Sequence, residues 1–420
     1  MKSDRGRFDR RDFLKKAGAA SLGSIIASTG LYSAPDEPNQ PKKETEEPPQ
    51  MPKRKFGRLT ELDENGKEVP LMVPILSLGA LFDVLENQAA LREALRWGVT
   101  YWDTAYSYAG GNSELGIGKF LSRNPQLRKK LFIASKASNA KTVDEVEQRL
   151  QESLKRLKTD YVDLYYGVHI LSDPAGLTPE LKKWAESAKK RKLIRYFGFS
   201  THKNMAQCLL AGAKLDWIDA ILVKYSFREM QDPQMQAGIE ACHKAGIALT
   251  AMKTIRGQKI KTAEDRKLTD HFIKKGFTAA QAKIKVVLQD KRISSVAVGR
   301  GNVRQLRENI AAALDKRQLT AADMEVFRQI AEQTCSEHCL GCGYICESAV
   351  PDVPYVSDVL RYLMYHDNYG EKETARRLFA QLPPDVRSRL TKADYSLAEA
   401  RCPQRIPIAR RMAEAARKLA

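Results

Sequence analysis

Two groups of residues in this sequence have types and spacings suited to chemistry. The first is a set of thiols. Five of the seven cysteines, Cys335, Cys339, Cys342, Cys346 and Cys402, lie in the last quarter of the 420-residue chain, and four of them fall in one short window. Thiols crowded in this way suit metal or cluster ligation. Cys208 and Cys242 stand alone in apolar surroundings and read as core residues. The second group is an acid, a phenol, an ammonium and an imidazole. Asp103 sits in Tyr101-Trp102-Asp103-Thr104-Ala105, and Tyr108 follows five residues later. Lys136 closes Phe132-Ile133-Ala134-Ser135-Lys136, and His169 closes an apolar run that begins at Val162. Brought together, these four groups give and take protons.

What could bring them together is the pattern of elements around them. From 73 to about 315, short β-rich runs alternate with helical stretches such as Leu85–Trp97, Val143–Leu157 and Ala279–Leu288. The predicted strands are Val73–Leu78, Thr100–Asp103, Phe132–Lys136, Val162–His169, Arg195–Ser200, Ala220–Tyr225, Ala248–Met252 and Ser295–Val298. Strands that alternate with helices form a parallel sheet, and eight such units close a barrel. The fold class is therefore α/β, a TIM barrel. Reactive groups of such barrels sit at the C-terminal ends of the strands, so Asp103, Lys136, His169 and the loop residue Tyr108 converge on one rim. Ahead of the barrel, Asp63-Glu64-Asn65-Gly66-Lys67 signals a hairpin turn, with folded sequence expected from about Phe56. Past residue 330 the pattern changes to a cysteine cluster and helices near Ser357–His366, Glu373–Gln381 and Ile408–Leu419, an α-rich domain. The expected division is 1–34 a targeting segment, 35–54 a linker, 55–330 the barrel and 331–420 the C-terminal domain.

Over roughly residues 70–315 the chain resembles the aldo-keto reductase superfamily. The resemblance rests on five pieces in the right order. They are Asp103-Thr104-Ala105-Tyr106-Ser107-Tyr108 with Ser113-Glu114-Leu115-Gly116, then Phe132 to Lys136, Tyr161-Val162-Asp163-Leu164-Tyr165, Gly198-Phe199-Ser200, and Gln305-Leu306-Arg307-Glu308-Asn309. The resemblance implies that Tyr108 is the general acid, that Lys136 and Asp103 tune it, and that His169 orients the substrate. Physical chemistry agrees. A tyrosine of pKa about 10 donates best when a neighbouring ammonium stabilises its phenolate. The family spacing selects Tyr108 over Tyr106. It fits His169 less well. The family leaves two residues between the tyrosine matching Tyr165 and its histidine, and here Tyr166, Gly167 and Val168 intervene. One extra residue turns a side chain to the other face unless a bulge absorbs it, and strict spacing puts Val168 at the histidine's place.

The same resemblance implies NADP(H) as cofactor. Gln305, Glu308 and Asn309 would hold its adenosine end, Arg300 would face the 2′-phosphate, and Ser200 matches the serine that touches the nicotinamide amide. Two departures weaken the nicotinamide end. The asparagine expected after Ser200 is Thr201, followed by His202, and Leu222-Val223-Lys224 stands where a glutamine is usual.

The tail resembles the iron–sulfur domain attached to some aldo-keto reductases. Bacterial ferredoxin motifs run C-x2-C-x2-C-x3-C-P, and in two-cluster ferredoxins the fourth cysteine serves the other cluster. Here Cys339, Cys342 and Cys346 keep a first motif, with Val350-Pro351 in place of its Cys-Pro, and Cys402-Pro403 is the end of a second. Those four would complete one [4Fe–4S] cluster, leaving Cys335 spare. A local set of Cys335, Cys339, Cys342 and Cys346, a zinc site, and disulfides are the competing arrangements.

The N-terminus carries Arg10-Arg11-Asp12-Phe13-Leu14-Lys15 before a weakly apolar stretch to about Ala34, which resembles a twin-arginine export signal. Pro35 after Tyr32-Ser33-Ala34 disfavours cleavage, so the expected location is periplasmic, with an uncleaved signal as membrane anchor. Residues 35–54, rich in Pro, Glu and Lys, read as a linker. The net charge of +19 is spread along the chain with acids interleaved, which reads as a solvated surface and not a nucleic-acid site. The reading that results is an exported NADP-type oxidoreductase acting on a small carbonyl or alcohol, with the Tat translocase and a redox partner protein as partners. The alternative is a non-catalytic electron-transfer or binding protein on the same barrel.

Overall fold

The computed structural model describes residues 48–255, 263–299 and 302–420, apart from the side chains of 263–265. Arg10, Arg11 and most of the expected linker lie outside the described residues, as does Arg300.

A β-hairpin comes first. Strand β1 (Lys53–Leu62) pairs antiparallel with β2 (Glu68–Pro74). The turn between them is built by Asp63, whose carboxylate accepts from the backbone N–H groups of Asn65 and Lys67 at 2.9 Å each. Folded chain begins a few residues before Phe56. Met51 is buried, and the Arg54 guanidinium donates to the carbonyls of Leu288, Asp290 and Ile293 at the start of the last barrel strand. Phe56, Leu59, Leu71 and Val73 of the hairpin share one apolar cluster with Tyr101, Phe132, Leu164, Ala220 and Ala248 from the beginnings of the barrel strands. The hairpin therefore plugs the N-terminal mouth, and the other end is left for chemistry.

The barrel itself consists of eight parallel strands. They are β3 (Leu76–Gly79), β4 (Tyr101–Asp103), β5 (Phe132–Ser138), β6 (Val162–His169), β7 (Ile194–Thr201), β8 (Ala220–Lys224), β9 (Ala248–Met252) and β10 (Ser295–Val298). They close in sequence order, with β10 bonded to β3. Seven of the eight match the sequence-predicted runs to within two residues at either end. The exception is Val73–Leu78, a continuous apolar run in which Pro74 ends the hairpin and Leu76 opens the barrel. Between strands, several of the amphipathic helices are started by side-chain caps. Thr142 accepts from Glu145 N, and Thr278 with Gln281 forms a capping box.

Beyond the helix Ala321–Gln333 the chain is entirely helical and turn structure. Its helices Val356–Met364, Lys372–Ala380 and Ile408–Leu419 match the sequence expectation closely. They enclose a core of their own that includes Val353, Val359, Leu363, Phe379, Ile408 and Met412. In the last helix Ile408, Met412, Ala415 and Leu419 are buried at spacings of four, three and four, the stripe a packed helix needs. From Met51 to Ala420 barrel and tail pack as one unit. The tail docks on the C-terminal rim. Lys203 just past β7 pairs with Glu347 at 3.0 Å and Asp358 at 2.6 Å, and Asn204 N donates to Gly341 O at 2.7 Å. Among the described residues no helix is long and apolar enough to cross a membrane.

Candidate active site

Strands β4 and β5 deliver the acid and the ammonium. Their register sets Asp103 opposite Ala134, so Lys136, two residues further, points to the same face. Both carboxylate oxygens of Asp103 lie 2.8 Å from Lys136 Nζ, and the Thr104 carbonyl accepts from it at 2.6 Å. Lys136 is fully buried, where a lone ammonium is costly. Burial pushes it down, but Asp103 and then Tyr108 more than offset that, and the ammonium is held above its usual range.

The loop after β4 delivers the phenol. Lys136 Nζ lies 4.5 Å from the centre of the Tyr108 ring. Past Tyr108 three residues in succession, Ala109, Gly110 and Gly111, have positive φ, which folds the loop back over the rim. A Cβ at Gly111 would also meet the Arg156 guanidinium at 3.0 Å. That arginine is needed where it is, because it donates to Tyr106 O at 2.8 Å. Tyr106 is held apart from the lysine, its hydroxyl accepting from Arg149 at 3.0 Å with two guanidinium groups 4.3 Å from its ring. The two tyrosines of the motif are thus sorted by their cations.

Strand β6 delivers the imidazole, and here the extra residue is accounted for. The pairing of β6 with β7 steps from Tyr166↔Gly198 to Val168↔Phe199, two residues against one. On the other side it steps from Lys136↔Tyr166 to Ser138↔His169, three against two. Gly167 is therefore a β-bulge, and His169 returns to the inner face opposite Ser200. Glycine is the residue that fits, since a Cβ there would lie 2.4 Å from the Phe197 ring. Val168 does not take the histidine's place. His169 Nδ1 lies 2.6 Å from Ser200 Oγ, and its ring stands edge-on to Tyr108 with centroids 6.3 Å apart. Burial, then the Lys136 and Lys253 ammoniums, push the imidazole down to about 3, so it is neutral.

Asp103, Tyr108, Lys136, His169 and Ser200 are thereby gathered at one rim. The hydroxyl of Ser200 is engaged with His169. Gln305, Glu308 and Asn309 are not brought to these five. They stand on the helix Val303–Leu314, which packs on the helices Gln88–Arg96 and Ala279–Gln289. Asn309 is buried, and the Glu308 carbonyl accepts from Gln281. The first turn of that helix holds no acid, and its Arg304 N–H is capped by the Asn302 side chain. At the end of β10, Gly299 approaches Gly79 so closely that a Cβ would come within 1.7 Å of the Gly79 carbonyl oxygen. Sequence reasoning missed the Thr104 carbonyl, the Ser200–His169 bond and Lys253. The first two follow from register, which pattern alone does not give.

In the tail, Cys339, Cys342, Cys346 and Cys402 line one cavity with apolar residues such as Leu360 and Ile406, and Cys335 is not among its walls. Burial pushes the Cys339 thiol up to about 11 and the Cys342 thiol to about 12, and Cys402 adds to both. Among the described residues there is no disulfide, and no three His, Cys, Asp or Glu side chains are gathered closely enough to hold a metal ion. Cys208 and Cys242 are buried in the barrel wall as expected.

Comparison with known proteins agrees with this geometry. A model of the Aldo/keto reductase family matches residues 81–332. The NADP(+) aldo-keto reductase yakc of Schizosaccharomyces pombe is 33% identical over 181 residues, 39% of this chain and 50% of that protein, so the chain spans half of that relative's length. The aldo-keto reductase str7 of Strobilurus tenacellus is 26% identical over 324 residues, 68% of this chain and 93% of that protein. The solved structure of an aldo-keto reductase from Bacillus halodurans, in its holo form, superposes with a TM-score of 0.53 at 21% identity, covering 67% of this chain and 96% of that one, and shares the fold. With more than half of the sequence matched and an ammonium, an acid and a phenol gathered on the barrel rim, the chain belongs to the aldo/keto reductase family.

Proposed function

We propose that the protein is an exported NADP-dependent oxidoreductase that interconverts a small carbonyl compound and its alcohol. The observation that carries this reading is the buried Lys136 ammonium, fixed by Asp103 and set against the Tyr108 ring. NADP as cofactor is supported by the Schizosaccharomyces pombe relative, an NADP(+) aldo-keto reductase, and by the acid-free first turn of the helix Val303–Leu314. Gln305, Glu308, Asn309 and Arg300 would hold its adenosine end. The hydride is the chemistry that NADP(H) supplies when bound. Everything else falls to the chain. Tyr108 Oη gives a proton to the carbonyl oxygen, and the phenolate left behind is stabilised by the Lys136 ammonium. Asp103 keeps that ammonium charged and in place. Neutral His169, its Nδ1 held by Ser200, offers an N–H at Nε2 to orient the carbonyl oxygen.

Cys339, Cys342, Cys346 and Cys402 would hold one [4Fe–4S] cluster, which supplies one-electron transfer or a structural tie. The shared apolar cavity supports this set over the local one that uses Cys335. A folded, cofactor-loaded protein suits twin-arginine export, which the Arg10-Arg11 segment would direct.

The test is anaerobic purification of the full-length protein, with bound nucleotide and iron measured alongside NADPH-dependent reduction of an aldehyde panel. Bound NADP(H), iron, and a reductase activity lost in Tyr108→Phe are the expected results. A protein that binds no nucleotide in calorimetry would overturn the enzymatic reading.

A further inference from the structure

We propose that the helical tail is a gate on the cofactor site: latched down, it fills the seat of the nicotinamide, and NADP(H) enters only when the tail lifts. This rests on the NADP reading above and adds its regulation. The residues matched to the nicotinamide contacts, Ser200, Thr201 and the segment ending at Lys224, stand at the ends of β7 and β8. Ser200 and Thr201 are fully buried. Their hydroxyls are already engaged, Ser200 with His169 Nδ1 at 2.6 Å and Thr201 with the Lys203 carbonyl at 3.0 Å. A carboxamide brought to them would find neither an open surface nor a waiting partner. Over this place, Arg361, Met364 and Tyr365 of the tail close on His202, Lys224 and Lys253 of the rim. The space left among them is about 10 Å3, room for one water and far too small for a pyridine ring.

The tail is built to move as a body. Its apolar core, which includes Val359, Leu363, Phe379 and Met412, contains no barrel residue. The bonds that hold it to the rim are polar. Lys203 pairs with Glu347 at 3.0 Å and Asp358 at 2.6 Å, and Arg361 NH1 donates to His202 Nδ1 at 2.7 Å. Asn204 N donates to the Gly341 carbonyl at 2.7 Å, and its side-chain oxygen accepts from Tyr344 N at 3.1 Å. A unit with its own core and a polar seam can part from its neighbour without opening that core. What it gives up is hydrogen bonds, and water replaces those. His202, Lys203 and Asn204 directly follow Ser200 and Thr201, so latch and seat are one stretch of chain.

A seat that is open only part of the time binds its ligand with an affinity reduced by the open fraction. Each latch bond that is removed raises that fraction. NADPH binding should therefore tighten when the tail is weakened. A tail that merely props up the site predicts the opposite sign.

The test uses the full-length protein, purified anaerobically. NADPH and adenosine 2′,5′-bisphosphate, which lacks the nicotinamide, are titrated by calorimetry. Lys203→Met should tighten NADPH about tenfold, the scale of one charged hydrogen bond, and leave the bisphosphate within about twofold. The variant strands no acid, because Glu347 keeps the Ser357 hydroxyl and Asp358 keeps Arg361. Tyr344→Phe, which removes only the exposed bond to Gln234 at 2.6 Å, should act the same way by about threefold. Hydrogen exchange gives a readout apart from affinity. Saturating NADPH should speed exchange of the Asn204 and Tyr344 amides by about tenfold or more, and the bisphosphate should not. NADPH bound equally by the parent and both variants, with those amides still protected, would overturn the gate and leave the NADP reading standing. Weaker NADPH binding in the variants would also overturn it, since the tail would then support the site. Binding of neither nucleotide by any form would overturn the NADP reading, and the gate with it.

Discussion

Gly167→Ala tests the bulge that returns His169 to the site. The added Cβ would lie 2.4 Å from Phe197 Cε2 and 2.6 Å from Cζ, about 1 Å inside ordinary contact. The ring cannot retreat. Phe197 is fully buried, stacked on Trp217 at 5.5 Å and met edge-on by Trp184 at 6.0 Å. Overpacking of this kind costs about 1–3 kcal/mol. In a chain of this length that lowers Tm by about 1–4 °C. If the backbone gives way instead, it moves by about 1 Å two residues from His169, and misplacement on that scale costs about 10- to 100-fold in kcat/KM. Calorimetry and steady-state reduction of an aldehyde by NADPH measure the two effects. Phe197→Leu combined with Gly167→Ala should recover part of both losses. Deletion of Gly167 is the sharper arm. It removes the extra residue, leaves Val168 opposite Phe199 and His169 opposite Ser200, and should keep kcat/KM within about tenfold of the parent. A Gly167→Ala protein as stable and active as the parent would refute the contact. A deletion that costs more than about 100-fold would refute the bulge.

Tyr108→Phe should lower carbonyl reduction by about 100-fold or more, the scale of a lost general acid, while Tyr106→Phe leaves kcat nearly unchanged. Equal small losses from both would break the assignment. His169 has its folded pKa pushed down to about 3, so the unfolded chain binds its proton first, and stability is lost as pH falls from about 6.5 toward 3. His169→Gln should therefore flatten the dependence of Tm on pH over that window, and an unchanged slope would show that the imidazole is not buried neutral. Cys402→Ser should lose iron and visible absorbance in an anaerobic preparation while Cys335→Ser keeps both, and the reverse pattern would establish the local ligand set. Arg10 and Arg11 changed together to Lys should hold the native gene product in the cytoplasm, measured by fractionation, and an unaltered protein that stays there too would end the export reading.

The strand–helix order was legible because each barrel strand is a short apolar run bounded by a helical pattern. Seven strands fell within two residues of the predicted runs for that reason. Pattern failed at Val73–Leu78, where two strands abut without a polar turn and only Pro74 marks the joint. Asp103, Tyr108 and Lys136 were legible because strand ends on a parallel barrel share a rim. His169 was legible only conditionally, since a bulge depends on what packs behind the strand, and Phe197 lies 28 residues or more from every residue it faces across β6. Arg361 was not legible at all. Nothing in Val356–Met364 distinguishes one arginine of an amphipathic helix from any other until the tail is laid on the barrel.

That docking gives a physical reading of the two places where the nicotinamide contacts of the family are altered. The segment after Ser200 carries Thr201, His202 and Lys203. In the structure His202 accepts from Arg361, Lys203 pairs with Glu347 and Asp358, and the Thr201 hydroxyl donates to the Lys203 carbonyl. Lys224, at the end of β8 where a glutamine is usual, pairs with Glu229 and reaches the Cys339 carbonyl at 3.4 Å. Both departures therefore lie where the tail rests on the rim, and each supplies a contact to it. A glutamine at position 224 would bring no ammonium to pair with Glu229. The residues that weaken a simple match to the family are the ones that join its barrel to the cysteine-bearing tail. Cys339 stands in the walls of both the small cavity lined by His202, Lys224 and Arg361 and the four-thiol cavity, so the two cavities meet at a single residue. A change at Lys224 should consequently be felt on both sides of Cys339. Lys224→Gln, the family residue, removes the ammonium that anchors the Cys339 carbonyl, and it should loosen the tail, seen as faster iron loss to a chelator, before it alters reduction of an uncharged aldehyde. Iron retention equal to the parent's would show that the rim and the cysteine cavity are not mechanically joined.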